Sequence, residues 1–215
     1  LDPNLNVRPW AVEVYQGFVY VGVVCSAEST QNVAELHAYI IRTPEGSPGV
    51  WTPVFDFPLN YPRGVVSASG PGFPAEWRPW SNVFTSIWCG TCGGSGLGFG
   101  NQLISPQPIL SDIEFDTNGD MILGLMDRAG HQTGEANFTT SAATTSFTFY
   151  DIAAGYAATP VTIAAGTTLE GASGGDMLRA CNVAGTFVLE NNATCGSITT
   201  GGAGSVPAQG PGGGE

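Results

Sequence analysis

Asp116, Asn118 and Asp120 place three oxygen-bearing side chains at i, i+2 and i+4, a spacing with which a loop can wrap a calcium ion. The complete pattern puts glycine sixth and glutamate twelfth. Here Gly119 is fourth and Asp127 is twelfth, so the trio is a weak calcium candidate. The competing reading is a strand-to-strand turn. Asx side chains bond their own backbone, and Gly119 accepts positive φ.

Sulfur offers a second chemistry. There are five cysteines, at 25, 89, 92, 181 and 195, and an odd count leaves one unpaired or paired outside the chain. Cys89-Gly90-Thr91-Cys92 has the spacing of a redox pair, which needs a helix N-terminus to acidify the first thiol. Glycine and serine follow instead. A zinc site needs four ligands, and this is the one CxxC. A local disulfide, Cys89 to Cys92, stapling a glycine-rich loop is the simpler expectation. Cys181 and Cys195 flank an expected hairpin and can pair, which leaves Cys25 over. Asn137-Phe138-Thr139 and Asn192-Ala193-Thr194 match the glycosylation tripeptide.

His37 and His131 are the only histidines, and no G-x-S-x-G elbow accompanies them. His37, inside Ala-Glu-Leu-His-Ala-Tyr-Ile-Ile, reads as a structural strand residue. Loop aromatics suit sugar or protein recognition. Trp77, Trp80, Trp88 and Phe99, with Phe73, fall in one irregular stretch, and Trp51 lies outside it. If exposed they form a contact patch; if buried they are core beneath a long loop.

These residues need a scaffold, and the pattern predicts an all-β one. Ile113 and Phe115 alternate with Asp112, Glu114 and Asp116, the period of a half-buried strand. Met121 to Met126 is nearly all apolar and reads as a buried strand. Val12-Glu13-Val14-Tyr15 leads through Gln16-Gly17 into the apolar run Phe18 to Val24, which predicts a hairpin. Strands are expected at Ala34–Arg42, Trp51–Phe57 and 147–151, with another at 161–164. Asp176–Ala180 and Thr186–Glu190 are expected to flank a last hairpin loop at 181–185. No window shows a capped helical period.

The segment Val12–Tyr15 matches Ile113–Asp116, and Tyr20-Val21-Gly22 matches Ile122-Leu123-Gly124. A third echo sets Gly175–Leu178 against Gly119–Ile122, and Arg8-Pro9-Trp10 recurs as Arg78-Pro79-Trp80. Together they predict repeated four-stranded antiparallel units of about 50 residues, the size of a propeller blade. Residues 64–108, rich in Gly, Pro, Trp and Cys, read as an irregular insertion in a domain spanning 1–198. Residues 199–215 read as a glycine-rich flexible tail or a link to further sequence.

Charge excludes some partners. Six arginines, no lysine and eighteen acids give −12, and nucleic acid recognition rests on basic clusters. No stretch of 18 apolar residues suggests a membrane helix. Charged residues are 11% of the chain, about half the usual ~25%. The start at Leu1 suggests a removed signal peptide or excision from something larger.

The phrases RPWAVEVYQGFVYVG, FPLNYPRG, ILSDIEFDTNGDMILGLMDRAGHQTG and GDMLRACNVAGTFVLE resemble a β-propeller-like module of large bacterial surface proteins that carry Sdr-type, B-repeat adhesin segments. The resemblance covers most of the chain and is weakest over 64–108 and 136–170. It implies no catalytic residues, and it implies that the chain continues past Gly-Pro-Gly-Gly-Gly-Glu. The strands present are too few for a closed propeller, so a partial propeller, or one completed by another copy, is expected.

The expected function is therefore a non-catalytic extracellular or cell-surface module, structural or adhesive, and able to self-assemble. Its expected partners are other copies, further domains of the same protein, or surface glycans and proteins. No cofactor is expected beyond calcium. The alternative is a metal-dependent propeller hydrolase or lactonase, in which Glu13, Asp112, Glu114 and Asp127 would imitate channel carboxylates.

Overall fold

In the computed structural model the residues described are 6–63, 65–66, 73–74, 76–83, 88–89, 101–134, 137–138, 147–151, 159–163, 168–171, 173–191, 194–195 and 198–199. Strands β1 (Val7–Tyr15), β2 (Phe18–Cys25), β3 (His37–Pro44) and β4 (Thr52–Pro58) form an antiparallel meander, sheet one. Short strands follow: β5 (Val65–Val66), β6 (Phe73–Pro74), β7 (Trp88–Cys89) and β8 (Asn101–Leu103). Then come β9 (Pro108–Phe115), β10 (Met121–Asp127) and helix α1 (Arg128–Thr133). The remainder is β11 (Asn137–Phe138), β12 (Phe147–Asp151), β13 (Thr159–Ile163), β14 (Thr168–Gly171), β15 (Asp176–Val183), β16 (Thr186–Leu189), β17 (Thr194–Cys195) and β18 (Ile198–Thr199).

Sheet two has the order β16-β15-β10-β9 and is antiparallel throughout. The chain is thus mostly β, with two four-stranded antiparallel sheets. The first two hairpins agree residue by residue with the sequence echo. Val12 pairs with Val21, and Ile113 with Leu123. Both ladders slip next to the matched glycine, between Pro9 and Val12 opposite Gly22 and beyond Gly124 in β10. The third echo has a different meaning. Gly175–Leu178 opens β15, which pairs with β10 inside sheet two, so it completes that unit instead of starting another.

Local chemistry explains the turns. Gln16 and Gly17 have φ of 48° and 77°, and Ala184 and Gly185 have 52° and 86°. Two successive positive φ values make the two-residue turn whose twist matches paired strands. Asn182 Oδ1 accepts from the Gly185 N–H at 2.8 Å and fixes the second turn. The last loop is therefore Ala184-Gly185 alone, since Cys181 to Val183 remain in β15.

The two sheets share one core. Ala11, Tyr20, Val24, Ala38, Ile40 and Phe57 of sheet one meet Leu110, Ile113, Met121, Leu123, Leu178 and Ala180 of sheet two. At one end the contact is aromatic. Tyr15 stacks on Phe115 with centroids 4.0 Å apart, and Phe187 lies 6.5 Å from Phe115 and 6.3 Å from Phe55. A Cβ on Gly22 would stand 2.7 Å from Leu110 Cδ2. Glycine there is what lets β9 settle on β2.

Two features depart from the sequence reading. A third sheet, ordered β11-β14-β8-β7-β12-β13, contains parallel pairs, β12 with β7 and β14 with β8. It ties part of the expected insertion to residues 137–171. Helix α1 also forms where none was expected. Asp127 caps it by accepting from the Ala129 N–H, and Gly134, at φ 63°, ends it. Its six residues are too few to show a helical period.

Candidate functional site

The acidic turn is built around an arginine. Asp116 Oδ1 accepts from the N–H groups of Asn118 and Asp120, at 2.8 and 3.0 Å. Arg179 Nη1 donates to Asp116 Oδ2 at 2.5 Å and to Asp120 Oδ2 at 3.0 Å. Asp120 Oδ1 accepts from the Asn182 N–H at 2.8 Å. A guanidinium thus lies where the carboxylates of Asp116 and Asp120 converge. Burial pushes the Asp116 carboxyl up, but the Arg179 hydrogen bond, the Asp120 and Asn118 N–H groups and the guanidinium charge outweigh it and hold it below its ordinary value. A calcium ion at this turn would have to displace Arg179 from both carboxylates.

The other acids and histidines are dispersed. Asp127 is fully buried, and its carboxylate accepts from the N–H groups of Gln107, Ala129 and Gly174. Burial raises its pKa against those hydrogen bonds. Asp112 and Glu114 are exposed and Glu13 is half-buried. His37 Nε2 contacts Asp56 Oδ2 at 2.8 Å. Among the described residues no three His, Cys, Asp or Glu side chains gather as a metal set.

Cys181 and Cys195 form a disulfide across 14 residues, with Cα atoms 6.1 Å apart. Cys25 is free and half-buried. Cys89, Trp88 and Asn137 lie on strands of which the backbone alone is described. Cys92, Phe99 and Asn192 lie outside the described residues, as does the tail from 200.

Trp77 and Trp80 are buried, so these two aromatics are core rather than an exposed patch. Trp77 Nε1 donates to Tyr61 Oη at 3.1 Å, and Tyr61 donates to Asp176 Oδ2 at 2.7 Å. Arg63 pairs with the same oxygen at 3.2 Å, donates to the Gly174 and Gly175 carbonyls, and lies 3.6 Å over the Trp77 ring. Burial, then the charge of Asp176, pushes the Tyr61 phenol well above its ordinary value. This cluster locks Tyr61, Arg63 and Trp77 onto the start of β15.

Trp80 sits differently. Its indole N–H donates to the Pro108 carbonyl at 2.8 Å, while Arg8 and Arg128 lie 5.2 and 4.7 Å from its ring centre. Arg8 pairs with Glu28 at 2.5 Å, and Asn82 donates to the other oxygen of Glu28. Arg128 donates to the Ser81 carbonyl, Gln107 Oε1 and Asn82 Oδ1, at 3.1, 2.6 and 2.9 Å. Above this base opens a cleft of about 400 Å³, lined by Trp10, Trp80, Ile109, Met126, Arg128, His131 and Gln132. Trp10 is 59% exposed at its wall. The two Arg-Pro-Trp echoes therefore meet at one place. Of these residues only Trp80 was expected in a binding surface; Trp10 stood out as part of the tripeptide echo and His131 as one of two histidines, and neither they nor Arg128 and Gln132 were expected beside it. The signal was the repeated tripeptide itself, whose spatial convergence no spacing reveals.

No family model matches the chain, and no solved structure matches it. The chain is similar to three Dictyostelium discoideum proteins. It is 29% identical to Colossin-A over 127 residues, which is 58% of this chain and 1% of that protein. It is 31% identical to Colossin-C over 121 residues, covering 55% and 10%, and 26% identical to Colossin-D over 198 residues, covering 89% and 14%. The chain thus spans a small part of the length of these relatives. They are eukaryotic proteins, and they replace the bacterial Sdr-type adhesins to which the phrases had been likened.

Proposed function

We propose that the chain is a non-catalytic extracellular module, structural or adhesive, that works by contact with neighbours. The carrying observation is where apolar and charged groups stand. On the outer face of sheet one, Val12 and Val14 are 63% and 50% exposed, beside the half-buried Val19, Val21 and Ile41. On sheet two, Met177, Val183 and Val188 are also exposed. Asp116 and Asp120 serve as ion-pair partners and Asp127 as a helix cap inside the fold. Apolar faces left open on a chain of net charge −12 suit contact with another protein surface. The fraction of each colossin that the chain spans supports a module within something larger. The Cys181–Cys195 disulfide favours an oxidising compartment.

The finer reading of the fold is a propeller fragment, with the two meanders as successive blades. Their shared core and the four-stranded antiparallel pairing within each sheet support it. Sedimentation velocity across a range of concentrations tests the function. Reversible association into dimers or larger species is expected; a monomer at every concentration would remove self-assembly from the reading.

A further inference from the structure

The cleft between Trp10 and Trp80 combines features that the assembly of sheet faces does not use. Its walls are aromatic and aliphatic. At its edge stands Arg128, whose hydrogen bonds all go to neutral oxygens, those of Ser81, Asn82 and Gln107. Among the described residues no carboxylate pairs with Arg128; the charges that reach it are those of Glu28 and Arg8, and Glu28 is already paired with Arg8. Among the described residues, two guanidiniums against one carboxylate make this a locally positive place on a strongly acidic protein. His131 and Gln132, both exposed, add polar atoms at the rim.

We propose that this cleft binds a carboxylate-bearing sugar residue of a glycan chain, its ring against the Trp10 indole and its carboxylate at Arg128. The apolar face of a sugar ring stacks on an indole, and an indole fixed in a strand loses little freedom on binding. A guanidinium is the preferred partner for a planar carboxylate. A volume of about 400 Å³ falls within the range of small-ligand pockets and leaves the ends of a chain free to leave through the open side. Charge complementarity selects an acidic sugar over a neutral one. The exposed flat indole wall selects a ring over an acidic peptide. The proposal deepens the adhesive side of the reading above, yet the two fail separately, because sugar binding is read at the indole resonances and self-association is read from the mass.

The test follows the Trp10 and Trp80 indole N–H resonances while the protein is titrated with an oligogalacturonide, with its methyl ester, and with an acidic hexapeptide. The oligogalacturonide is expected to give a saturable shift, with the ester weaker by about tenfold, which corresponds to about 1.4 kcal/mol. Trp10→Ala, at an exposed position, is expected to weaken binding at least about tenfold with an unchanged melting temperature. Arg128→Gln is expected to bind acid and ester alike. Equal binding of acid and ester by the unaltered protein would overturn the proposal. So would stronger binding of the peptide, or no saturable shift at millimolar sugar. Sugar binding by a chain that stays monomeric would leave the cleft assignment standing and remove only self-assembly.

Discussion

At the scale of single residues, the acids of this protein act through what they hold. Asp116 gains hydrogen bonds and a positive neighbour on folding, so its folded pKa lies below its unfolded value. Such a group contributes stability above the unfolded carboxyl range, and the contribution is lost as pH falls through the folded value. Asp116→Asn is therefore expected to flatten the acid limb of the stability–pH curve below about pH 4, read by denaturant midpoints. Asp127 works in the opposite sense. Its pKa is raised by burial, so its titration increases stability as pH falls from the folded value toward the unfolded one. Arg63 and Asp176 are 3% and 9% exposed. Removing one member of a buried pair strands the other, so Arg63→Ala is expected to cost about 3–5 kcal/mol. Gly22→Ala must push Leu110 away from a 2.7 Å contact, and overpacking of this kind costs about 1–3 kcal/mol. A melting temperature equal to that of the unaltered protein would show that the sheets can separate there at no cost.

At the scale of elements, hairpins were the most legible feature of the sequence. Gln16-Gly17 between two strand patterns and Asp116–Gly119 between two others left little freedom, because turn chemistry and alternation agreed. The matched offsets then aligned β1–β2 with β9–β10 down to the ladder slip beside Gly22 and Gly124. What stayed hidden was non-local. The parallel pairing of β7 with β12 and of β8 with β14 joins segments 62 and 68 residues apart, and nothing in a short run of residues announces its partner. Helix α1 was hidden by its length and by Asp127, which reads as a strand-end acid until Ala129 N–H is seen on its carboxylate. Likewise Arg179 sits 59 and 63 residues from the acids it joins, so the acidic turn read as a hairpin turn or a weak calcium loop with no sign of the guanidinium between its carboxylates. Strand β15 is additionally joined to β17, across β16, by Cys181–Cys195. Closing a loop of that size stabilises by about 3 kcal/mol. The double substitution of both cysteines by serine is expected to lower stability by about that amount, measured by urea unfolding in the absence of reductant.

At the scale of the whole molecule, two meanders close over one core and leave apolar side chains on their outer faces. Asp116, Asp120 and Asp127 are satisfied inside the fold while Val12, Val14, Met177, Val183 and Val188 stand exposed, which supports the proposed contact with neighbours. The cleft at Trp10 adds a small recognition site where β1, the loop at Trp80 and the start of α1 come together. The outer face of sheet one is proposed to meet another protein surface, and light scattering after size separation is the test. Substituting Val12→Glu and Val14→Glu together changes only exposed positions, for which stability effects stay within about 0.5 kcal/mol each. The unaltered chain is expected to show a mass that rises with concentration, and the double variant a constant monomer mass with the same melting temperature. Identical masses for the two proteins at every concentration would contradict the account.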